Sequence, residues 1–188
     1  MAEIQDWSSM RAMSERLLKD RTGENLEVWN ARVTQLNPTN EKSLRIWLQQ
    51  QGVMGYAQSL LVMEIFGYPA FLTTSADELV NNQYSDRAQL RPIFNATIEA
   101  ATSLGAVTVQ ARKTYVSLLT PRRTFARIQP TTRNRIALAL RLEKAMADER
   151  LVPSRIQETM KWQLGLSTMA DLDAEALSYL QQAYEENS

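Results

Sequence analysis

Apolar positions in the first part of the chain recur every three or four residues, the spacing of one helix face. This spacing predicts four helices, placed near residues 8–23, 26–36, 40–52 and 57–67. Each predicted helix ends at a glycine or before a proline, residues that stop helices. A capping box from Ser75 to Glu78 opens a short fifth helix.

A further helix is predicted between Ser85 and Leu104, where the same spacing continues up to Gly105. Pro92 lies inside this segment, and a proline lacks the N–H that an internal helical position donates. Two interpretations follow. Either the helix begins near Arg91 with Pro92 in its first position, or the helix is kinked at Pro92.

After Gly105 the apolar period changes from 3.6 to 2, which is typical of strands. Alternating segments are found around Val107, at 114–119 and 124–128 on either side of a Pro-Arg-Arg turn, and at 136–142 and 160–166. A last helix is predicted from about Asp171. The pattern predicts an α+β fold in which an N-terminal helical bundle precedes an antiparallel sheet of four or five strands packed against helices. We expect a helical module at residues 1–72, an α+β domain with a basic sheet face at 86–188, and a connecting segment at 73–85.

The charge distribution singles out the middle of the chain. The whole chain is neutral, with 21 Lys and Arg against 21 Asp and Glu. Residues 1–99 carry 9 basic against 12 acidic groups, and residues 143–188 carry 4 against 9. Residues 100–142, the basic block, contain eight basic residues and no acid. Such a block indicates a surface that faces an anion.

Strand pleating suggests how these cations are displayed, because alternate residues point to opposite faces of a sheet. If the aliphatic positions from Val116 to Leu140 face the helices, basic and aromatic residues share the other face. Rings there can stack on bases while cations follow a nucleic-acid backbone. The candidate ligand-binding residues are Lys113, Tyr115, Arg122, Arg123, Phe125, Arg127, Arg133, Arg135 and Arg141.

A structural interpretation of the same residues is equally specific. Tyr115 and Phe125 would pack beneath the last helix or the N-terminal module, and the arginines would pair with acids at the start of the last helix. Those acids are Asp171, Asp173 and Glu175. The pair Arg122 and Arg123, on the predicted hairpin tip, could grip a phosphate or form a solvated turn that protects the sheet edge.

Several function classes are disfavoured by composition. The chain has no His and no Cys, which excludes His/Cys zinc sites and nucleophiles activated by His. Its carboxylates form no metal-binding pattern and it contains no Walker loop, so we expect no catalytic residue, metal or cofactor, and we lean against an enzyme. Apolar runs are too short to span a bilayer and the N-terminus lacks a signal-peptide core, so we expect a cytoplasmic protein without membrane contact.

The second half resembles a known family. The segments Leu90–Phe94, Lys113–Leu118, Phe125–Pro130 and Thr132–Ile136, followed by Trp162 and Leu172–Tyr184, are similar in order to the domain of unknown function 5655, over roughly residues 86–186. Residues 8–72, with Thr22-Gly23, Trp29 and Gly52–Ala57, resemble the helical domain of unknown function 4287, with Met54 in a turn that is usually more polar. The two families occur together in bacterial proteins. The resemblance implies an architecture and no activity.

Three functions remain open from the sequence. The first is a binding module for an anionic partner, with nucleic acid as one candidate. The second is a protein–protein adaptor or accessory subunit whose basic face docks an acidic partner or a second copy of the chain. The third is a small-molecule binder with a pocket between the modules, where Lys113, Tyr115 and Arg127 would hold an anion.

Overall fold

The computed structural model describes residues 4–143 and 149–188. The chain divides into a helical unit, Asp6–Thr74, and a sheet unit that contains Ser75–Ser188 and a two-residue strand, β1 (Ile4–Gln5). The helical unit begins and ends later than the predicted 1–72, and the main segment of the sheet unit begins earlier than the predicted 86–188. The start of the described chain belongs with the sheet, and so does most of the segment expected to be a connection.

The helical unit contains four helices, and an Asp or Asn side chain caps the N-terminus of three of them. They are α1 (Trp7–Thr22), α2 (Leu26–Leu36), α3 (Glu41–Gln50) and α4 (Gly55–Phe66). The side chains of Asp6, Asn25 and Asn40 accept backbone N–H groups in the first turns of α1, α2 and α3. Such caps satisfy donors that have no partner inside the helix.

The core of the helical unit is built from the apolar faces of these helices. Trp29 of α2 is buried, and its ring meets that of Trp47 of α3 edge-on at 6.1 Å. The indole N–H of Trp29 donates to the hydroxyl of Thr22 at 3.0 Å, so the polar end of the ring is satisfied. Leu18, Leu44, Leu48 and Leu61 complete the centre of this cluster.

The described part of the sheet unit contains three α-helices, α5 (Ala76–Tyr84), α6 (Arg91–Ser103) and α7 (Ala174–Asn187). Helix α6 begins at Arg91 with Pro92 in its first turn. The alternative of a kink at Pro92 is therefore wrong. Helix α5 falls in the predicted connecting segment but is anchored to the sheet unit, because Gln83 Nε2 donates to the carbonyl of Arg112 at 2.7 Å.

The described strands form one seven-stranded sheet in the order β1-β2-β3-β4-β5-β7-β6, antiparallel except for the β1–β2 pair. After β1, the strands are β2 (Thr108–Ala111), β3 (Val116–Leu119), β4 (Thr124–Thr132), β5 (Arg135–Leu140), β6 (Val152–Gln157) and β7 (Met160–Leu166). The α+β prediction is confirmed, but the sheet is wider than four or five strands.

One face of this sheet is mainly aliphatic. Val116 pairs with Ile128, Ile128 with Leu138 and Leu138 with Leu164, so their side chains lie in one row across four strands. The aliphatic positions predicted to face the helices are fully buried, namely Val116, Leu118, Ala126, Ile128, Ile136, Leu138 and Leu140. Helix α7 packs against β4 and β5, with Leu180 and Ala183 buried. We call this the aliphatic face.

A β-bulge changes the direction of Phe125. Leu118 pairs with Ala126 while Leu119 pairs with Thr124, which leaves Phe125 as an extra residue in β4. A bulge of this kind re-aims the side chain that it carries. The ring of Phe125 is fully buried and meets the ring of Tyr184 of α7 edge-on at 5.6 Å. The prediction that Phe125 lies on the opposite face is therefore wrong.

Candidate anion-binding face

Strand register brings polar side chains together on the face of the sheet opposite the aliphatic one. Ser117, Arg127, Ala139 and Gln163 pair in sequence across β3, β4, β5 and β7, and therefore form one row. Gln129, Ala137 and Gly165 form the neighbouring row. Arg135 and Arg141 lie on the same face, at the two ends of β5, because residues two apart along a strand share a face. We call this set of residues the polar face.

Arg127 lies near the middle of the polar face and has no acidic partner among the described residues. The centre of its guanidinium group is 3.3 Å from the centroid of the Tyr115 ring, and both side chains are half-buried. Burial lowers the pKa of Arg127, and the neighbouring Tyr115 opposes that shift. Its Nε atom is buried without a hydrogen-bond acceptor in the described part of the chain. The structure therefore holds a partly desolvated cation that nothing in the described chain neutralises.

A glutamine on the same strand as Arg127 also has unused hydrogen-bonding capacity. Gln129, two residues along β4, has a buried Oε1 atom that accepts no hydrogen bond from the described residues. Gln163 lies two strands from Arg127, about 10 Å away at the usual strand spacing. Buried polar atoms in native proteins nearly always find a partner. Within the described residues, the Oε1 atom of Gln129 therefore lacks the partner that such an atom usually has.

Gly165 on β7 leaves room for the side chain of Arg135, another arginine of the polar face. A Cβ atom added to Gly165 would collide with the guanidinium group of Arg135, so that group lies flat over the glycine. The exposure of Arg135 shows that its cation remains in contact with solvent. Gly165 is thus a positioning element for a charge of the polar face.

Outside the strands, the other candidate cations divide by exposure. Lys113, in the loop before β3, Arg122, on the β3–β4 hairpin, and Arg133, in the β4–β5 turn, are exposed. The turn that carries Arg133 is held by Gln89, whose Nε2 donates to the Arg133 carbonyl at 2.6 Å. Arg123 instead turns back towards α7, where its Nη2 donates to the carbonyl of Glu186 at 3.4 Å. The hairpin tip therefore presents one exposed guanidinium group rather than two.

The acids expected to neutralise the basic block are engaged elsewhere. Asp173 and Glu175 accept from the guanidinium group of Arg150 at 2.7 and 3.0 Å. Asp171 accepts from the backbone N–H groups of Ser167 and Thr168, which lower its pKa. Within the described residues, these seven cations of the basic block form no ion pair: Lys113, Arg122, Arg123, Arg127, Arg133, Arg135 and Arg141. The pairing interpretation is therefore wrong.

Sequence reasoning missed some members of the polar face and misplaced others. Gln163 and Gly165 were not among the candidates, although the apolar alternation of Met160, Trp162 and Leu164 places the residues between them on the other face. Lys113 lies in a loop, so it borders the face rather than belonging to it. Of the two aromatic candidates, only Tyr115 reaches the polar face, through its contact with Arg127.

A groove also lies on the helical unit, and its carboxylate Glu64 already has polar partners. The groove between α1, α2 and α4 has a volume of about 630 Å³. Glu64 at its centre accepts from Arg11 at 3.2 Å, from Asn30 at 3.3 Å and from the hydroxyl of Tyr68. Burial and the contact with Glu64 raise the pKa of Tyr68. These mutual contacts stabilise the groove without leaving an unpaired central charge.

Two features are absent from the part of the chain that the structure describes. Its Asp and Glu residues form no group of three that could hold a metal ion. Its helices are all too short or too polar to cross a bilayer.

Comparison with known proteins assigns the sheet unit. A family model described as Domain of unknown function (DUF5655) matches residues 80–187, a range that contains the whole polar face. The similarity of residues 8–72 to the domain of unknown function 4287 stays a prediction. No curated protein and no solved structure matches the sequence. Because the matched range covers more than half of its residues, the chain belongs to the DUF5655 family.

Proposed function

We propose that the sheet unit is a binding module for an anionic partner and that the polar face, with the cations around it, is the binding surface. The observation that carries the proposal is the unpaired state of these cations. Seven of the eight basic residues in the basic block form no ion pair among the described residues, while Arg150, outside the block, contacts two carboxylates. Surface charges left without internal partners remain available to an external one.

Nucleic acid is the partner that this surface fits best. Guanidinium groups bind phosphate oxygens in a planar, bidentate geometry. Exposed cations lie beyond both ends of β4, with Arg122 at one end and Arg133 at the other, about 30 Å apart for a strand of nine residues. A phosphate chain can contact cations over such a length, whereas a small anion would meet one cluster.

Salt dependence of oligonucleotide binding tests the proposal. Fluorescence anisotropy with labelled DNA and RNA oligomers should show binding at about 50 mM salt that weakens steeply towards about 200 mM, because each neutralised phosphate releases counterions. Combining Arg133→Gln with Arg135→Gln should lower the slope of log K against log salt by about 0.7 for each lost contact on single strands. Arg45→Gln is the matched control, since Arg45 lies on the helical unit and pairs with Glu41.

The outcomes separate the alternatives. No binding of DNA, RNA or heparin at about 50 mM salt would overturn the proposal, because even nonspecific electrostatic association should appear there. Binding to polyglutamate but not to oligonucleotides would retain the anion-binding surface and favour the adaptor function. In that case the basic surface would dock an acidic protein segment. An equal loss of slope in Arg45→Gln would show that the polar face is not the site.

A further inference from the structure

We infer that the stacked pair of Arg127 and Tyr115 is a platform for an unpaired nucleobase, so that the polar face prefers single-stranded nucleic acid. The inference rests on the proposed function, because a base reaches the platform only if nucleic acid binds this surface. It adds the base to the description of the ligand, because the cations specify only its phosphates. Cations account for contacts to phosphate, and the platform accounts for a contact to a base.

The geometry of the pair supports a planar site. A distance of 3.3 Å between the guanidinium carbon and the Tyr115 centroid is that of two flat groups lying one over the other. Both side chains are half-buried, so each keeps part of its surface in contact with solvent. Bases stack on aromatic rings and also on guanidinium planes. The guanidinium plane of Arg127, held against the Tyr115 ring, is therefore the surface that we assign to a base.

Hydrogen-bonding groups accompany this plane. Gln129 lies two residues from Arg127 on the same strand and has a buried, unsatisfied amide oxygen. Gln163 lies in the same row as Arg127, with only the small side chain of Ala139 between them. A glutamine amide can both donate hydrogen bonds to the polar edge of a base and accept them from it, and a guanidinium group can donate them. A stacked base would thus meet donors and acceptors at its edge.

The platform discriminates against a duplex. In double-stranded nucleic acid each base is already stacked between its neighbours and cannot lie flat on a protein surface. A single strand can unstack one base at small cost while its phosphates contact Arg122 and Arg133, which are exposed. The burial of Phe125 also limits stacking to the Arg127–Tyr115 pair among the aromatic candidates of the basic block.

An abasic oligomer tests the platform without altering the protein. Anisotropy would compare a single strand of about 12 nucleotides, the same strand with abasic sugars in place of its bases, and the matching duplex. All three carry phosphates, but only the first offers unpaired bases. The normal single strand should bind the full chain at least about 5-fold more tightly than the abasic strand, since one base stack is worth about 1–3 kcal/mol.

A charge-conserving variant connects this difference to the pair. Arg127→Lys keeps the positive charge but removes the guanidinium plane. It should reduce the ratio of normal to abasic affinity to about one, while leaving the affinity for the abasic strand within about 2-fold. Arg133→Lys is the matched control, because Arg133 is exposed in a turn and should keep the full ratio. Circular dichroism would check that both variants are folded.

Each result decides the inference. Equal affinity of the wild-type protein for normal and abasic strands would overturn the platform and leave electrostatic anion binding intact. Tighter binding of the duplex than of the single strand would overturn it as well. Binding of heparin or polyglutamate without any oligonucleotide binding would overturn it while the anion-binding surface survives. A base-dependent ratio that Arg127→Lys removes and Arg133→Lys keeps would establish it.

Discussion

The two faces of the sheet, made by alternate residues of the same strands, have opposite properties. Ile128 and Leu138, on the aliphatic face, are fully buried among other apolar groups. Arg127 and Gln129, which flank Ile128 in sequence, retain buried polar atoms with no partner in the described chain. Burial of apolar area stabilises a fold, whereas an unsatisfied polar atom costs free energy. The aliphatic face therefore supplies stability, whereas the polar face holds buried polar atoms that the described residues leave without a partner.

The largest expected change in the free energy of unfolding comes from a substitution on the side of the sheet that carries the aliphatic face. Phe125→Ala should lower the free energy of unfolding by about 3–5 kcal/mol, because it removes a buried ring and leaves a cavity beside Tyr184. Gln129→Ala, on the same strand but on the polar face, should change it by less than about 1 kcal/mol. Urea denaturation measures both. A similar loss in the two variants would mean that the faces do not differ in their contribution to stability.

A smaller effect of unusual sign is expected at Arg127. Arg127→Met should leave the free energy of unfolding unchanged or raise it by up to about 1 kcal/mol, because a desolvated charge without an acidic partner disappears. The lost contact with Tyr115 offsets only about 0.5–1 kcal/mol. Anion binding should fall in the same variant.

The control for this prediction is an arginine with partners. Arg150→Met should lower stability, because it removes contacts to Asp173, Glu175 and the carbonyl of Asp171. Thermal and urea unfolding of the two variants under identical conditions give the comparison. A loss above about 2 kcal/mol in Arg127→Met would show that Arg127 has a structural role instead.

A further variant tests whether Gly165 positions Arg135. Gly165→Ala should alter stability by less than about 1 kcal/mol, since the group it displaces is the end of a flexible side chain. It should weaken oligonucleotide binding as much as Arg135→Ala does. In a double-mutant cycle, adding Gly165→Ala to Arg135→Ala should have no further effect on binding. Additive losses would separate the glycine from the arginine.

The smallest effect concerns the stability of the fold at low pH, which depends on carboxyl groups outside the polar face. The N–H groups of Ser167 and Thr168 hold the pKa of Asp171 below its ordinary value. A carboxyl whose folded pKa is depressed stabilises the fold above its unfolded pKa, and this contribution is lost as pH falls through the folded pKa. Asp171→Asn should therefore be less stable than the wild type at pH 7, with the difference shrinking below about pH 4. Urea midpoints across pH 2–7 measure it; a difference independent of pH would contradict the assignment.

Much of the fold could be predicted because its signals are local. The caps at Asp6, Asn25 and Asn40 and the alternation from Ile136 to Leu140 depend on neighbouring residues only. Strand β1 could not be found in this way, since two residues show no period and their partner β2 lies far along the chain. Pro153 and an irregular register weaken the pattern of β6.

The candidate surface was partly predictable for the same reason. The acid-free block and strand alternation identified Arg127, Arg135 and Arg141, because charge and pleating are read directly from the sequence. The position of Phe125 depends on a bulge, which the alternation of β4 does not reveal. The partners of Asp173 and Glu175 depend on the tertiary placement of Arg150, which no short-range pattern indicates.

The pairing of β1 with β2 has a consequence for synthesis of the chain. Strand β1 is made well before its partner, because about a hundred residues separate Ile4 from Val109. At ordinary translation rates of about 5–20 residues per second, the first strand waits roughly 5–20 s for its neighbour. Helices α1–α4, whose contacts are local, can form during that interval. We therefore expect the helical unit to fold on the ribosome before the edge of the sheet closes.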